Sequence, residues 1–404
     1  MAFLEIHKLT HFPPSLINSD EAGEPKSAVF GGTTRQRWSP QSQKRAMRVL
    51  FAENDLIPAE NLSVRTQRLP HVFAGHLQDL GHGPEEASLL AINFLWGADL
   101  LDVESAKDPR TKGLVYMGVL EAREAGELLH ERAEELLAIA HPVEKILSGA
   151  GDEDKPKAKK DRKAPAALKA FAKSVTSAFD PAAAADLALF GRMIAQAPGR
   201  NIDGSLYVAH ALGANAMTDD GDYFTAIDDL SAPEDPASAH IGYRSLTSSV
   251  LYSYHALDLN LLRRNLGGNS DLATVTAGAL WNASVFARPT AMRTNSAPFV
   301  LPSLVLTVLR TGAPVSLVNA LAKAVSGAGS ADVSLSAARA ITGHWNRLGE
   351  TYGHERVLDG GGAVWHTHTF PDPGEPFPGH CLPIKEHQAK ATARAEVCLT
   401  GAGA

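Results

Sequence analysis

Cysteine is scarce in this chain: Cys381 and Cys398 are the only two among 404 residues. They form no C-x-x-C pair, so neither a disulfide framework nor a zinc-ribbon spacing is present. Long apolar runs are missing too. Nothing suffices to span a bilayer, and the opening MAFLEIHKLT lacks the apolar core of a secretion signal. The expectation is a soluble, cytoplasmic protein with no membrane partner. Excess positive charge is also lacking. Lys and Arg number 38 against 45 Asp and Glu, a formal net charge of -7, so any hold on a polyanion must come from a local patch. There is no P-loop, no G-x-G-x-x-G after a strand, no G-x-S-x-G and no H-E-x-x-H. His366-Thr-His368 has ligand-like spacing without an evident third ligand, so no metal and no cofactor is assigned.

Against that background the stretch Ser27 to Leu50, SAVFGGTTRQRWSPQSQKRAMRVL, stands out because it contains no Asp or Glu. Gly31-Gly32 reads as a flexible turn. Ser39-Pro40 reads as a helix start, with Ser39 as N-cap and Pro40 in the first helical position. Gln41, Lys44, Arg45 and Arg48 then fall at i, i+3, i+4 and i+7 on one face, leaving Ala46, Met47 and Leu50 to pack. A helix N-terminus already favours anions, and a basic row extends that preference along the face. The pattern suits a phosphate backbone.

Leu4 and Ile6 alternate with Glu5 and His7 as a short strand that Pro13-Pro14 should end. Asp20, in the loop that follows, is the one carboxylate there to weigh for nuclease chemistry. After Pro58 the texture turns helical through Asp186. Gly151 to Lys163, GDEDKPKAKKDRK, reads as a solvated loop or link. Pro181 to Met193 reads as a helix. Thr218 to Ala237 has many acids, no Lys or Arg, and embedded Tyr223, Phe224 and Ile227. It reads as a protruding hairpin whose apolar tip needs a partner. Val250, Tyr252 and Tyr254 mark a strand, Ser303 to Arg310 a buried strand, and Val315 to Val325 and Ser334 to Leu348 helices. Arg288 to Ser296 reads as a mobile loop with two arginines.

Four segments together resemble one family: IHKLTHFPPSLIN at Ile6 to Asn18, AVFGGTTRQRWSPQSQKRAMR at Ala28 to Arg48, DYFTAIDDL at Asp222 to Leu230, and SAHIGYRSLTSSVLYSY at Ser238 to Tyr254. Gly191-Arg192-Met193 and Asn265-Leu-Gly-Gly268 fall in the matching order. The chain resembles the CasC-family backbone subunit of the type I-E CRISPR Cascade complex, within the RAMP superfamily. The resemblance implies an α+β fold. An RRM-like (ferredoxin-like) palm would carry a helical fingers insertion and a protruding thumb hairpin. It would divide the chain into palm at 1–57, fingers at 58–186, palm at 187–217, thumb at 218–237, palm again at 238–348, and an irregular tail at 349–404.

The same resemblance implies a non-catalytic scaffold for antiviral defence. Copies polymerise head to tail along a CRISPR guide RNA, displace every sixth nucleotide, and present the rest for pairing with target DNA. Other Cascade subunits and a recruited helicase-nuclease would be further partners. It assigns guide-backbone contacts to Ser39, Gln41, Lys44 and Arg48, with Lys26 and Arg45 as further contacts. Met193 would pack against guide bases, and Tyr223, Phe224 and Thr225 would form the thumb wedge. Two enzyme readings compete: a guided endoribonuclease cutting target RNA through Asp20, and an anion-binding enzyme using the helix start at Ser39.

Overall fold

The structure is a computed structural model. It describes residues 2–103, 108–147, 163–178, 184–194, 200–227, 238–326, 332–353, 357, 364–370 and 377–401. The charged run at 151–162 and residues 228–237 lie outside them. The chain forms two compact units, one of Met1–Leu56, Leu206–Leu261 and Ala273–Ala404, the other of Ile57–Ser205 and Leu262–Leu272.

The first unit is built on a large mixed sheet. Its strands are β1 (Ala2–Ser15), β2 (Ser27–Phe30), β3 (Thr33–Trp38), β4 (Leu206–Val208), β5 (Ala211–Gly213), β6 (Asp220–Ile227), β7 (Ser238–Asp258), β8 (Leu304–Thr311), β9 (Val364–His368) and β10 (His380–Cys381). Across the sheet the order is β10-β9-β8-β1-β7-β5-β3-β2, with β4 and β6 also paired to β7. Every pairing is antiparallel except β9 with β10. Strands β1 and β8 are buried at nearly every residue, as is β7 over Ser249–Asp258, as in a sheet covered on both faces.

That double cover explains a departure from the alternation expected of β1. Glu5, His7 and Lys8 are as buried as Leu4 and Ile6. Each is held by a partner, as burial of polar groups demands. Glu5 accepts from Arg310 Nε at 2.7 Å, from the Tyr254 hydroxyl at 2.6 Å and from the Val315 N–H at 2.5 Å. His7 Nδ1 lies 2.8 Å from the Tyr252 hydroxyl, which also accepts from the Leu317 N–H at 3.0 Å. Burial, helped by nearby Arg310, pushes the His7 imidazole down to about 3. Lys8 donates to the Ser284 carbonyl at 2.6 Å, and burial pushes its ammonium down to about 8.

Three further expectations change within this unit. Strand β1 does not stop at Pro13-Pro14. It runs to Ser15, with a register irregularity between Phe12 and Ser15, because the prolines sit where the ladder is already interrupted. Val315 to Val325 holds only the 3-10 turn Val318–Leu321, since the Leu321 and Ala322 carbonyls are taken by Arg35 rather than by a helix ladder. The chain after 349 is not irregular throughout. Strands β9 and β10 extend the sheet, and Ile384–Thr400 is a helix that buries His387, Ala391, Ala395 and Leu399 at helical spacing. Its alanines are small enough to pack closely, a pattern that the Gly, Pro and His content nearby obscures.

The second unit is mainly helical, with two small two-stranded sheets, Ser63–Thr66 with Val115–Gly118 and Leu101–Asp102 with Arg110–Thr111. Helices Leu69–Asp79, Pro84–Gly97, Val119–Glu131 and Ala166–Ala178 enclose a core of Leu69, Phe73, Leu90, Phe94, Leu129 and Phe171. The helix expected over Pro181 to Met193 is described only at Ala185–Phe190, and Gly191 ends it at φ +79°.

Candidate nucleic-acid interface

The acid-free stretch is seated in the first unit by two devices. Gly31 and Gly32 lie at φ +59° and +75°, forming a tight two-residue hairpin turn rather than a flexible one. A Cβ on Gly31 would stand 1.7 Å from the Ala322 carbonyl oxygen, so only glycine lets the turn close against that backbone. Arg35, fully buried, grips the same region. Its guanidinium donates to the carbonyls of Gly213 and Ala214 at 2.8 Å each, Leu321 at 3.2 Å and Ala322 at 3.1 Å. This cation of the basic stretch is therefore structural.

Helix α1 (Pro40–Glu53) begins as expected, and buries Gln43, Ala46, Met47 and Phe51. Ser39 itself is 6% exposed. Its N–H donates to Asn18 Oδ1 at 3.0 Å and its hydroxyl accepts from the Ser42 N–H at 3.4 Å. Its side chain thus serves the cap. Gln43, which amphipathicity alone assigned no role, ties the helix down. Its amide donates to the carbonyls of Trp38 and Ala209 at 3.0 Å each and meets His255 Nε2 at 3.1 Å.

With that face fixed, Gln41 and Arg45 are exposed, and Lys44 and Arg48 half-buried. Burial and the neighbouring Arg48 both hold the Lys44 ammonium below its ordinary value. Two like charges this close gain from an added anion. Lys26 is half-buried, and its backbone bonds Asn18 and Arg37 where the loop enters β2. Arg37 lies 3.1 Å from His210 Nδ1. A groove of about 440 Å³ runs beside α1, lined by Leu50, Glu53, Arg288, Arg293 and Phe299 among others. Arg293–Ser296 is a short helix, with Met292 and Ala297 at positive φ on either side.

Tyr223, Phe224 and Thr225 lie on β6, all exposed. The return strand is not separate from the sheet: β7 pairs β6 over Ser238–Leu246 and then continues along β1. At strand rise, that carries the hairpin roughly 30 Å beyond its junction with β1. Reading the protrusion as ending at Ala237 misses what β7 supplies. Tyr243 stands opposite Tyr223 in register, and the two are 64% and 62% exposed. The Tyr243 ring covers Gly221 and the Phe224 ring covers Gly242, each closer than any Cβ would allow. Arg244 lies over the Phe224 ring at 5.6 Å, so the acidic first strand is answered by a cation on the second. The signal was in the sequence, since the -GYR- of β7 sits the right distance from -DYF- for a hairpin.

Asp20 is exposed, and its Oδ1 accepts from the N–H groups of Ala22 and Glu24 at 2.9 and 3.0 Å. It closes its own loop.

In the second unit, Met193 is 83% exposed. Gly191 allows its backbone to approach Gly204 and Ile202, where a Cβ would meet atoms at 2.9 Å. Arg192 pairs with Ile202 through both backbone bonds and buries its guanidinium 2.6 Å from Glu121, which also meets Arg200 at 3.0 Å. Asn265 donates to the carbonyls of Ala188 and Asp203. The Gly-Arg-Met and Asn-Leu-Gly-Gly motifs thus converge on one rigid turn that projects Met193.

Comparison with known proteins follows the same lines. The fold is shared with chains of solved CRISPR surveillance complexes. It superposes on a chain of a "CRISPR RNA-guided surveillance complex, pre-nicking" with TM-score 0.77 and 25% identity, covering 97% of this chain and 100% of that one. A chain of another "CRISPR RNA-guided surveillance complex" shares the fold at TM-score 0.67 and 23% identity, with 97% and 99% covered. No functionally curated protein matches. The chain belongs to the family described as CT1975-like protein, which matches residues 4–369.

Proposed function

We propose that this chain is the non-catalytic, RNA-binding backbone subunit of a type I-E Cascade. Copies line up head to tail on a CRISPR guide RNA, each an RRM-like palm with fingers and a thumb. The observation that carries this reading is the pairing, within one compact unit, of a basic helix that has no acid before Glu53 with a projecting hairpin that exposes Tyr223, Phe224 and Tyr243. Lys26, Gln41, Lys44, Arg45 and Arg48 hold phosphates. Ser39 contributes through the helix start it caps. The hairpin aromatics stack where every sixth nucleotide is pushed aside, and the bases between pair with target DNA, so sequence is read by base pairing. Met193 packs against bases from the second unit. Further Cascade subunits and a helicase-nuclease complete the cytoplasmic assembly.

Lys44→Ala and Arg48→Ala are expected to weaken guide binding about equally for unrelated guide sequences, since phosphate contacts carry no base information. In filter binding across a salt series, each should flatten the plot of log K against log salt by roughly 0.7 for single-stranded RNA. A loss that varied with guide sequence would point to base readout instead.

The nuclease alternative is tested by incubating the assembled complex with complementary RNA and Mg²⁺. No cleavage is expected, because Asp20 is engaged by its own loop. Cleavage abolished by Asp20→Ala would overturn the scaffold reading.

A further inference from the structure

Strand β9 places His366 and His368 at i and i+2, on one face. Neither sequence spacing nor composition supplied a third partner. The fold does: β10 pairs parallel with β9 so that Cys381 stands opposite His366 in register. The ligand-capable atoms of His366, His368 and Cys381 all lie within 4.8 Å of one another.

The surroundings prepare these groups for a cation. His366 Nδ1 lies 3.0 Å from the Pro378 carbonyl, so it carries the proton and leaves the Nε2 lone pair free. A ring nitrogen oriented in this way by a backbone carbonyl is the usual outer support of a metal-binding histidine. Buried His368 Nδ1 has no hydrogen-bond partner. The two imidazoles stack at 14° between planes. Phe377 stands edge-on to both, and Phe370 stacks on His368, giving the cluster an apolar wall. The turn that delivers Cys381 is built for close approach. Gly379 has φ +81°, and a Cβ there would fall 2.1 Å from the Val364 carbonyl oxygen.

We propose that His366, His368 and Cys381 bind one Zn²⁺, with a fourth position open to water on the exposed Cys381 side. Two neutral imidazoles and a thiolate, with no carboxylate, select zinc over Mg²⁺ or Ca²⁺. Around tetrahedral zinc such donors stand roughly 3.3–3.7 Å apart, so modest side-chain rotation closes the site. On binding, the Cys381 S–H bond breaks, sulfur keeps the electron pair for the metal, and the proton passes to solvent. The ion clamps the segment leading into helix Ile384–Thr400 to the outer part of the sheet. This concerns neither the proposed RNA-binding surface nor its reading.

The test uses the full chain without a histidine tag. Bound zinc is measured by elemental analysis, and affinity by Zn²⁺ titration against a chromogenic chelator. Titration with Co²⁺ reads the thiolate-to-metal charge-transfer band. One equivalent of zinc is expected. Cys381→Ser should abolish the Co²⁺ band, and both it and His368→Gln should weaken binding at least about tenfold, the least that loss of even an outer support costs. Cys398→Ser should change neither. Circular dichroism of each variant checks that it is folded. Substoichiometric zinc, or a Co²⁺ band that persists in Cys381→Ser, overturns the proposal.

Discussion

Excising Gly221 to Ser245 and joining Asp220 to Leu246 through Asn-Gly should give a folded chain that binds short RNA and no longer assembles along long RNA. Asp220 and Leu246 are a register pair, so a two-residue turn spans them without disturbing β7 beyond that point. The remainder of β7 keeps its pairing with β1, β4 and β5. Helix α1 keeps Gln43 and its cap. What disappears is the hairpin that exposes Tyr223, Phe224 and Tyr243. Under the proposed function this hairpin reaches a neighbouring copy, in a head-to-tail contact that does not close on itself. Its first strand carries Asp220 and Asp222, with Asp219 just before it, and these suit a basic surface such as α1 or the Arg288–Arg293 segment of that neighbour. Linked sites gain about 10²–10⁴ in apparent affinity. That gain should be lost, so affinity would stop rising with RNA length, and mass photometry would show isolated chains instead of arrays. Chemical probing should show no periodic reactive base. Arrays that persisted with regular reactivity would mean that another surface joins the copies.

The second large effect is on stability. Glu5→Ala should destabilise the first unit by about 3–5 kcal/mol, the range for removing one partner of a buried ion pair. The Glu5 side chain is wholly buried and answers three donors from three places in the chain: Arg310, Tyr254 and the Val315 N–H. Truncation strands the Arg310 guanidinium next to Trp345 with no carboxylate, and removes the acceptor of the Tyr254 hydroxyl. Its remaining neighbours are packed, so water has little room to replace the carboxylate. Denaturant unfolding followed by Trp fluorescence measures the change. A loss below about 1 kcal/mol would mean that the network is relieved by solvent.

Much of the basic helix was legible in advance because its determinants are local. A serine cap, a proline at the first position and a 3.6-residue period act over a few residues, and all are present from Ser39 to Leu50. The same is true of the protruding hairpin's first strand. What could not be read was which cation faces outward. Arg35 and Arg48 are indistinguishable as letters, yet one is fully buried on four carbonyls from residues 213–214 and 321–322, and the other lies on a half-open helix face. Ser39 suits both a contact and a cap as a letter, and the structure places its hydroxyl on the Ser42 N–H while its own N–H is held by Asn18.

By itself, the sequence determined the class of fold, the family, the position of the basic helix and the aromatic strand, because these depend on short-range periodicity and on motif order. The tertiary structure alone decided which polar groups are buried, that β7 returns to complete the hairpin with Tyr243 and Arg244, and that Cys381 meets His366 and His368. Those outcomes rest on register between strands far apart in the chain. Register is set by the burial of whole faces at once, a condition that no local window of sequence contains.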